Sequence, residues 1–261
     1  MTEFDKYVPG TPCWIDVSTT DAEGARAFYS KLFGWEYEIG SADSGFYTSC
    51  LVRGRRVAGL MELNSEMSAA GARPAWQTYI ATEDVDDTVA RVREAGGQVI
   101  MGPADVLDQG RWAFVTDPSG AAVGFWEPGL HTGAQLANEP GTFTWNELQT
   151  SDVESAKTFY AAAAGWQTEV MPSEVEGPPY FVATVGGEMV AGIMEASASP
   201  GGSTQSFWMT YFKVADCDKS VERVRESGGA VMMARIDSPQ GPFGVVADPY
   251  GAVFAVISDP A

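Results

Sequence analysis

Apolar positions after Asp21 recur as Ala25, Phe28, Tyr29, Leu32 and Phe33, a spacing of i, i+3, i+4, i+7 and i+8 that lays them along one face of an α-helix. Thr20 and Asp21 supply the N-terminal cap and early negative charge, and Gly34 supplies the stop. A second stripe, Val85, Val89, Val92 and Ala95, follows Asp84 and runs into Gly96 and Gly97. Asp and Gly thirteen residues apart recur as Asp21/Gly34, Asp84/Gly97, Asp152/Gly165 and Asp216/Gly229, which predicts four helices of similar length. Around them the pattern shortens to strands. Residues 11–18 precede the first helix, 46–52 and 56–62 flank Arg53-Gly54, and 112–116 and 121–127 flank Asp117-Pro118-Ser119-Gly120. Turns at Gly186-Gly187 and Asp248-Pro249-Tyr250-Gly251 repeat this later. Each unit therefore reads as strand, helix, then three strands.

The units are themselves duplicated. A shift of 131 residues lays 10–35 on 141–166 with 11 identities, at Gly10, Thr11, Trp14, Thr19, Asp21, Glu23, Ala25, Phe28, Tyr29, Gly34 and Trp35. With small gaps, VAGLME (57–62) meets VAGIME (190–195), VARVREAGGQVIM (89–101) meets VERVRESGGAVMM (221–233), and DPSGA (117–121) meets DPYGA (248–252). This predicts two domains, 1–128 and 141–261, joined by a linker at 129–140, GLHTGAQLANEP. Breaks rich in small or polar residues at 65–73 and 197–206 divide the domains into modules at about 10–64, 74–128, 141–196 and 206–259.

The chain has 261 residues and a formal net charge of −19. Such an excess of acid repels a phosphate backbone or an anionic bilayer, so neither nucleic acid nor membrane is expected as a partner. No apolar run reaches the ~18–20 residues of a membrane helix, and MTEFDKYVPG carries no basic, apolar leader, so the expected location is cytoplasmic. Cys13, Cys50 and Cys217 are odd in number and scattered, which points to free thiols in a reducing compartment. One histidine, His131, and no Cys-x-x-Cys exclude sites built from paired imidazoles or several thiolates.

Four βαβββ modules with D-x12-G helices, FY…GW closing the first helix of each half, and DPxGA before the last strand together resemble the glyoxalase, bleomycin-resistance and dioxygenase superfamily in tandem form. The chain is similar in particular to two-domain actinobacterial glyoxalase-like proteins often labelled hydroxylases. The resemblance covers 10–259 and implies an α+β fold of two vicinal-oxygen-chelate domains, each pairing two modules around a U-shaped cleft. In metal-binding relatives a His stands seven residues before each helix-opening Asp, and a Glu seven residues after the DP. Here those positions hold Trp14, Gln77, Trp145 and Met209, then Gly124 and Ala255. None is a His or Glu. The resemblance therefore implies the cleft without the chelate that polarises adjacent substrate oxygens. A stackable wall suited to an apolar or aromatic ligand takes its place.

Trp14 and Trp145 are equivalent, and period-two alternation puts Asp16 and Glu147 on the same inward face. Either carboxylate is a candidate acceptor for a ligand hydroxyl or a candidate general base; bridging backbone groups at the cleft mouth is the structural alternative. Gln77, Tyr79, Met209 and Tyr211 alternate inward from the fifth strand of each half, joined by Trp126 and by Phe46, Tyr47 and Tyr180. They line a cleft or form ordinary sheet core. Glu62 and Glu195 end the fourth strands, and with Asp16 or Glu147 and Gln77 they offer an alternative oxygen-rich site for Mg²⁺ or Mn²⁺. Cys13 alternates toward the helix and reads as packing. His131 reads as a solvated or locally hydrogen-bonded linker residue, a general base only if the linker folds over a cleft, and Arg53, Arg55 and Arg56 read as a solvated turn, with steering of an anionic ligand as the alternative. Gly96-Gly97 and Gly228-Gly229 end helices rather than open them and are not phosphate cradles.

Three functions stand open. The first is a protein that needs no cofactor and holds a small apolar or aromatic metabolite for sequestration, resistance or tailoring. The second is a metal-dependent glyoxalase I-type lyase, dioxygenase or hydroxylase using carboxylate ligands, and the third is a protein-interaction module. Gln77 and Trp126 against Met209 and Ile257 make the first cleft the more polar and the favoured site. The tandem already supplies paired modules, so a monomer is expected, with a homodimer as the alternative.

Overall fold

The computed structural model describes residues 2–172, 178–198 and 204–260. The first half runs β1 (Pro12–Thr19), α1 (Ala22–Phe33), β2 (Glu36–Ile39), β3 (Thr48–Val52), β4 (Arg55–Glu62), α2 (Ser65–Ala69), β5 (Ala75–Ala81), α3 (Val85–Glu94), β6 (Gln98–Val106), β7 (Gly110–Thr116) and β8 (Ala122–Pro128). The second runs β9 (Phe143–Thr150), α4 (Val153–Ala164), β10 (Gln167–Val170), β11 (Phe181–Val185), β12 (Glu188–Glu195), β13 (Phe207–Lys213), α5 (Cys217–Glu226), β14 (Ala230–Ile236), β15 (Phe243–Ala247) and β16 (Val253–Ile257). Each half is one eight-stranded sheet, in the orders β2-β3-β4-β1-β5-β8-β7-β6 and β10-β11-β12-β9-β13-β16-β15-β14. Modules join through the antiparallel pairs β1·β5 and β9·β13. The fold is α+β, two tandem domains of the expected type. The 65–73 break contains the short α2, and part of the 197–206 break, 199–203, lies outside the described residues.

The four helix-opening aspartates act as caps. Asp21, Asp84, Asp152 and Asp216 accept from the backbone N–H groups of Gly24, Asp87, Ser155 and Lys219. The closing glycines divide into two kinds. Gly34 and Gly165 end α1 and α4 in the left-handed region, at φ 74° and 71°. In α3 and α5 that turn falls to Gly96 and Gly228, and the thirteenth-residue glycine has a different task. A Cβ on Gly97 would stand 2.6 Å from Cε2 of Phe159, and one on Gly229 3.2 Å from Cε2 of Phe28. Gly97 and Gly229 are notches for a phenylalanine of the opposite half.

That interlocking organises the core. The helices lie between the two sheets, and each main apolar cluster draws on both halves. Phe28, Tyr29 and Trp35 pack with Phe212, Val221 and Phe254, while Val89, Val92 and Phe125 pack with Phe159, Tyr160 and Trp166. The indoles of Trp35 and Trp166 donate across the halves to the carbonyls of Gly141 and Gly10, both at 2.7 Å. At the centre Thr78 and Thr210 both donate to Oδ1 of Asn146, at 3.0 and 3.2 Å. Each sheet thus gives its helix side to the other half and turns its opposite, cleft side away.

The 129–140 segment is packed. Its Ala134 N–H donates to the Cys13 carbonyl at 2.8 Å and its Gln135 N–H to the Arg56 carbonyl at 2.7 Å, which wedges it between the ends of β1 and β4. Ala134, Leu136 and Ala137 are buried there. Among the described residues no helix is long and apolar enough to cross a membrane.

Candidate functional site

On the cleft face of the first half, Trp14 Nε1 donates to the Tyr47 hydroxyl at 2.9 Å, and Tyr47 donates to Oδ2 of Asp16 at 3.1 Å. Tyr79 donates to the same oxygen at 3.1 Å. Local backbone makes this possible. Asp16 and Gly59 are paired across β1 and β4, and a Cβ on Gly59 would stand 1.8 Å from the Tyr47 hydroxyl. A Cβ on Gly124 would stand 2.1 Å from Cδ1 of Tyr79. Asp16 is 4% exposed, and its Oδ1 is buried without a hydrogen bond to the protein. Burial raises its carboxyl to about 6, against the lowering pull of the Tyr47 and Tyr79 hydroxyls.

The second half rebuilds the network with one more donor. Trp145 Nε1 donates to Tyr180 at 2.9 Å, Tyr180 to Glu147 Oε2 at 2.8 Å, and Tyr211 to Glu147 Oε1 at 3.1 Å. Gln149 Nε2 also donates to Oε1, at 3.0 Å, so both carboxylate oxygens are engaged. Burial again raises the carboxyl. Met209, Tyr211, Val245 and Ala255 form a small apolar core there, with Phe207 and Phe243 packed against it.

Other expected positions divide. Gln77 lies opposite Asp16 on β5 and is half-buried, whereas Met209, opposite Glu147, is buried. Trp126 is buried, and its indole donates to the His131 carbonyl at 2.8 Å. The His131 ring meets Trp14 edge-on with centroids 4.3 Å apart and lies 5.3 Å from Trp126. The linker therefore does fold onto the first cleft. His131 is half-buried and locally hydrogen-bonded rather than solvated: its backbone N–H donates to the Gln109 carbonyl at 3.0 Å, its carbonyl accepts the Trp126 indole, and its ring lies against Trp14 and Trp126. Burial, with Arg56 nearby, lowers its imidazole to about 4.

The alternative carboxylate metal set is not assembled. Glu62 and Glu195 stand three residues beyond Gly59 and Gly192, the partners of Asp16 and Glu147, and odd spacing turns them to the other face. Glu62 accepts the Ala22 N–H at the start of α1, and Glu195 accepts the Ser197 hydroxyl. Phe46 does not line the cleft; it precedes β3 and is 63% exposed. Arg53, Arg55 and Arg56 form an exposed turn, and each also stands near a carboxylate, of Glu139, Glu3 and Glu38 at 2.5, 3.9 and 3.6 Å. Cys13 is buried on the helix side, where burial pushes its thiol up.

Sequence reasoning missed several lining residues. Trp112 and Phe114 alternate with the buried Ala113 and Val115 along β7, and the Phe114 ring lies 6.2 Å from that of Tyr79. Period two would have found them, as it would have found Gln149, two residues beyond Glu147. Among the described residues no group of three or more His, Cys, Asp or Glu could hold a metal ion. The Tyr79 ring also covers Gly124, where metal-binding relatives place a glutamate. The residues present do not fit the family's chelate.

A model of the Glyoxalase/Bleomycin resistance protein/Dioxygenase superfamily matches residues 13–125 and 141–256. CFP32 of Mycobacterium tuberculosis, whose name assigns it provisionally as a glyoxylase, is 39% identical over 260 residues, covering 98% of both chains. Anthracycline biosynthesis protein DauV of Streptomyces sp. strain C5 is 35% identical over 265 residues, covering 97% of this chain and 94% of its own. Among solved structures, a Mn(II)-bound glyoxalase from Novosphingobium aromaticivorans aligns with a TM-score of 0.64 at 14% identity, over 97% of this chain and 83% of that one. The 2,3-dioxygenase LapB from Pseudomonas sp. KL28 aligns with a TM-score of 0.62 at 12% identity, over 96% and 92%. These two structures share the fold. With both halves matched by the family model, and relatives aligned end to end, the chain belongs to the Glyoxalase/Bleomycin resistance protein/Dioxygenase superfamily.

Proposed function

We propose that this protein binds a small apolar or aromatic molecule on its cleft face without the divalent ion of its metal-using relatives, to sequester that molecule or assist its tailoring. The observation that carries the reading is the chain Trp14–Tyr47–Asp16–Tyr79, which starts from Trp14, the residue at a position where metal-binding relatives carry a histidine. An indole and two phenols give flat apolar area with polar tips, the surface that grips aromatic ligands. A buried carboxyl at about 6 exchanges its proton near neutrality, which suits it to accept one from a ligand hydroxyl. The likeness to a protein named for anthracycline biosynthesis supports an aromatic metabolite as the ligand class. A glyoxalase-type metal enzyme is the second reading, supported by the provisional name of CFP32 and opposed by the donor set.

The test is a tryptophan-fluorescence titration with 1-hydroxyanthraquinone in excess EDTA. Saturable quenching with stoichiometric binding is expected. Quenching that appears only after Mn²⁺ or Mg²⁺ is restored favours the metal enzyme, and no saturable quenching under either condition overturns the binding reading.

A further inference from the structure

The two halves are near copies, yet their cleft faces differ in a consistent direction. At equivalent positions the first half carries Ser18, Ala75 and Gln77 where the second carries Gln149, Phe207 and Met209. Each change makes the β1–β5 side of the first cleft smaller or more polar. On the facing β7–β8 side the order reverses, with Trp112, Phe114 and Trp126 against Phe243, Val245 and Ile257. The first cleft thus sets a low polar wall against a tall aromatic one. In the second, Phe207, Met209 and Tyr211 close on one another as a small core.

The carboxylates differ in the same sense. Gln149 completes the set of donors to Glu147, so that both carboxylate oxygens are satisfied within the chain, and the atom left buried without a partner there is the neutral amide Oε1 of Gln149. Ser18 is too short to do this for Asp16, and Asp16 Oδ1 is left buried and without a partner. A buried carboxylate oxygen is costlier to leave unpaired than an amide oxygen, so of the two it is Asp16 Oδ1 that calls for a donor from outside the chain. Gln77, Tyr79, Trp112 and Phe114 remain half-buried around it, which leaves a face for an incoming ring.

We propose that the first cleft alone is the binding site, and that its ligand is a neutral aromatic molecule bearing a hydroxyl that donates to Asp16 Oδ1 while its ring lies against Tyr79, Trp112 and Phe114. The inference rests on the binding reading above and narrows it to one cleft and one ligand class. A hydroxyl adds a third O–H to the two that Tyr47 and Tyr79 already supply. An ammonium group would have to shed the water on all its N–H bonds to reach Oδ1, a desolvation cost that attraction to the aromatic faces offsets only in part.

The second half supplies the test variants, because it already accommodates the residues to be grafted. Calorimetric titrations use 1-naphthol, 1-methoxynaphthalene and 1-naphthylmethylammonium against the wild type, Ser18→Gln, Ala75→Phe and Phe207→Ala. The wild type is expected to bind 1-naphthol about tenfold tighter than the ether, the ratio of one good hydrogen bond to a charged acceptor. Ser18→Gln, copying Gln149, abolishes that preference; Ala75→Phe, copying Phe207, weakens every probe about tenfold or more; Phe207→Ala changes nothing. Equal affinity for naphthol and ether, tighter binding of the ammonium, or indifference to Ala75→Phe overturns the inference and leaves the binding reading standing. If none of the three probes binds the wild type, both fall. Should Ser18→Gln not fold, the ¹³C shift of the Asp16 carboxyl in the wild type decides: it moves with 1-naphthol and not with the ether, and a shift that moves with neither overturns the assignment.

Discussion

Tyr29 in α1 donates its hydroxyl to Asp248 at 2.9 Å, across 219 residues of chain and from one half of the molecule to the other. Tyr160 and Asp117 form the reciprocal pair at 3.5 Å. The second oxygen of Asp248 accepts the backbone N–H groups of Tyr250 and Ala252. The FY of each first helix and the DPxGA of each last hairpin, two repeated motifs with no evident relation in sequence, are opposite sides of one contact.

Removing that hydroxyl leaves a buried carboxylate oxygen short of a donor. Tyr29→Phe is therefore expected to destabilise the fold by about 1–3 kcal/mol, and Tyr160→Phe, with its longer contact, by less. Urea denaturation checks this. An unchanged midpoint for Tyr29→Phe would mean that the contact contributes nothing to the joining of the halves.

Gly97→Ala puts a methyl group 2.6 Å from Phe159 and 2.7 Å from the Thr116 carbonyl. Neither a packed ring nor a strand carbonyl yields easily, so a loss of about 1–3 kcal/mol is expected, typical of an overpacked core. Gly34→Ala would also destabilise, but for its positive φ, since nothing stands near its Cβ. Thermal unfolding of Gly97→Ala in the Phe159→Ala background separates the causes: the penalty shrinks there if the notch explanation holds.

Asp16 and His131 pull stability in opposite directions with pH. Asp16 is raised from 3.8 to about 6, so its folded form holds the proton more tightly, and its contribution is complete below pH 4 and lost as pH climbs through 6. His131 is lowered from 6.5 to about 4, so stability is lost as pH falls through that window. Shifts of this size correspond to roughly 3 kcal/mol each, so the two nearly offset in the wild type. Relative to wild type, Asp16→Asn should gain stability from pH 4 to 6, and His131→Phe should lose it over the same range. Urea midpoints at stepped pH values check the pair, and parallel curves for both variants would contradict it.

Tyr79→Phe removes one of the two hydroxyls that hold the Asp16 carboxyl down. The Asp16 titration followed by ¹³C NMR should move upward from about 6, and a downward movement would show that Tyr79 does not donate to it.

Much of this was legible before the structure. The four caps, the duplication and the inward pairing of Trp14 with Asp16 and Trp145 with Glu147 follow from local rules of spacing and alternation. What escaped depends on contacts between distant segments. Gly97 and Gly229 look like helix stops because their real constraint, a phenylalanine of the other half, lies outside any local window. His131 sits in a segment without periodicity, and only the indoles of Trp14 and Trp126 explain its burial. Glu62 and Glu195, named only as an alternative metal set, stand off the cleft face for a simpler reason. Their parity along the strand already pointed to the helix side.

The central claim is that the cleft works without the family's metal, and the metal content of the protein tests it most directly. Protein purified without chelator or polyhistidine tag, then incubated in turn with Mg²⁺, Mn²⁺, Fe²⁺, Ni²⁺ and Zn²⁺ and desalted, is to be measured by plasma mass spectrometry. Occupancy far below one ion per chain in every case is the predicted result. One ion retained per chain, lost on Asp16→Ala or Glu147→Ala, would contradict the account and return the protein to the metal-dependent enzymes of its superfamily.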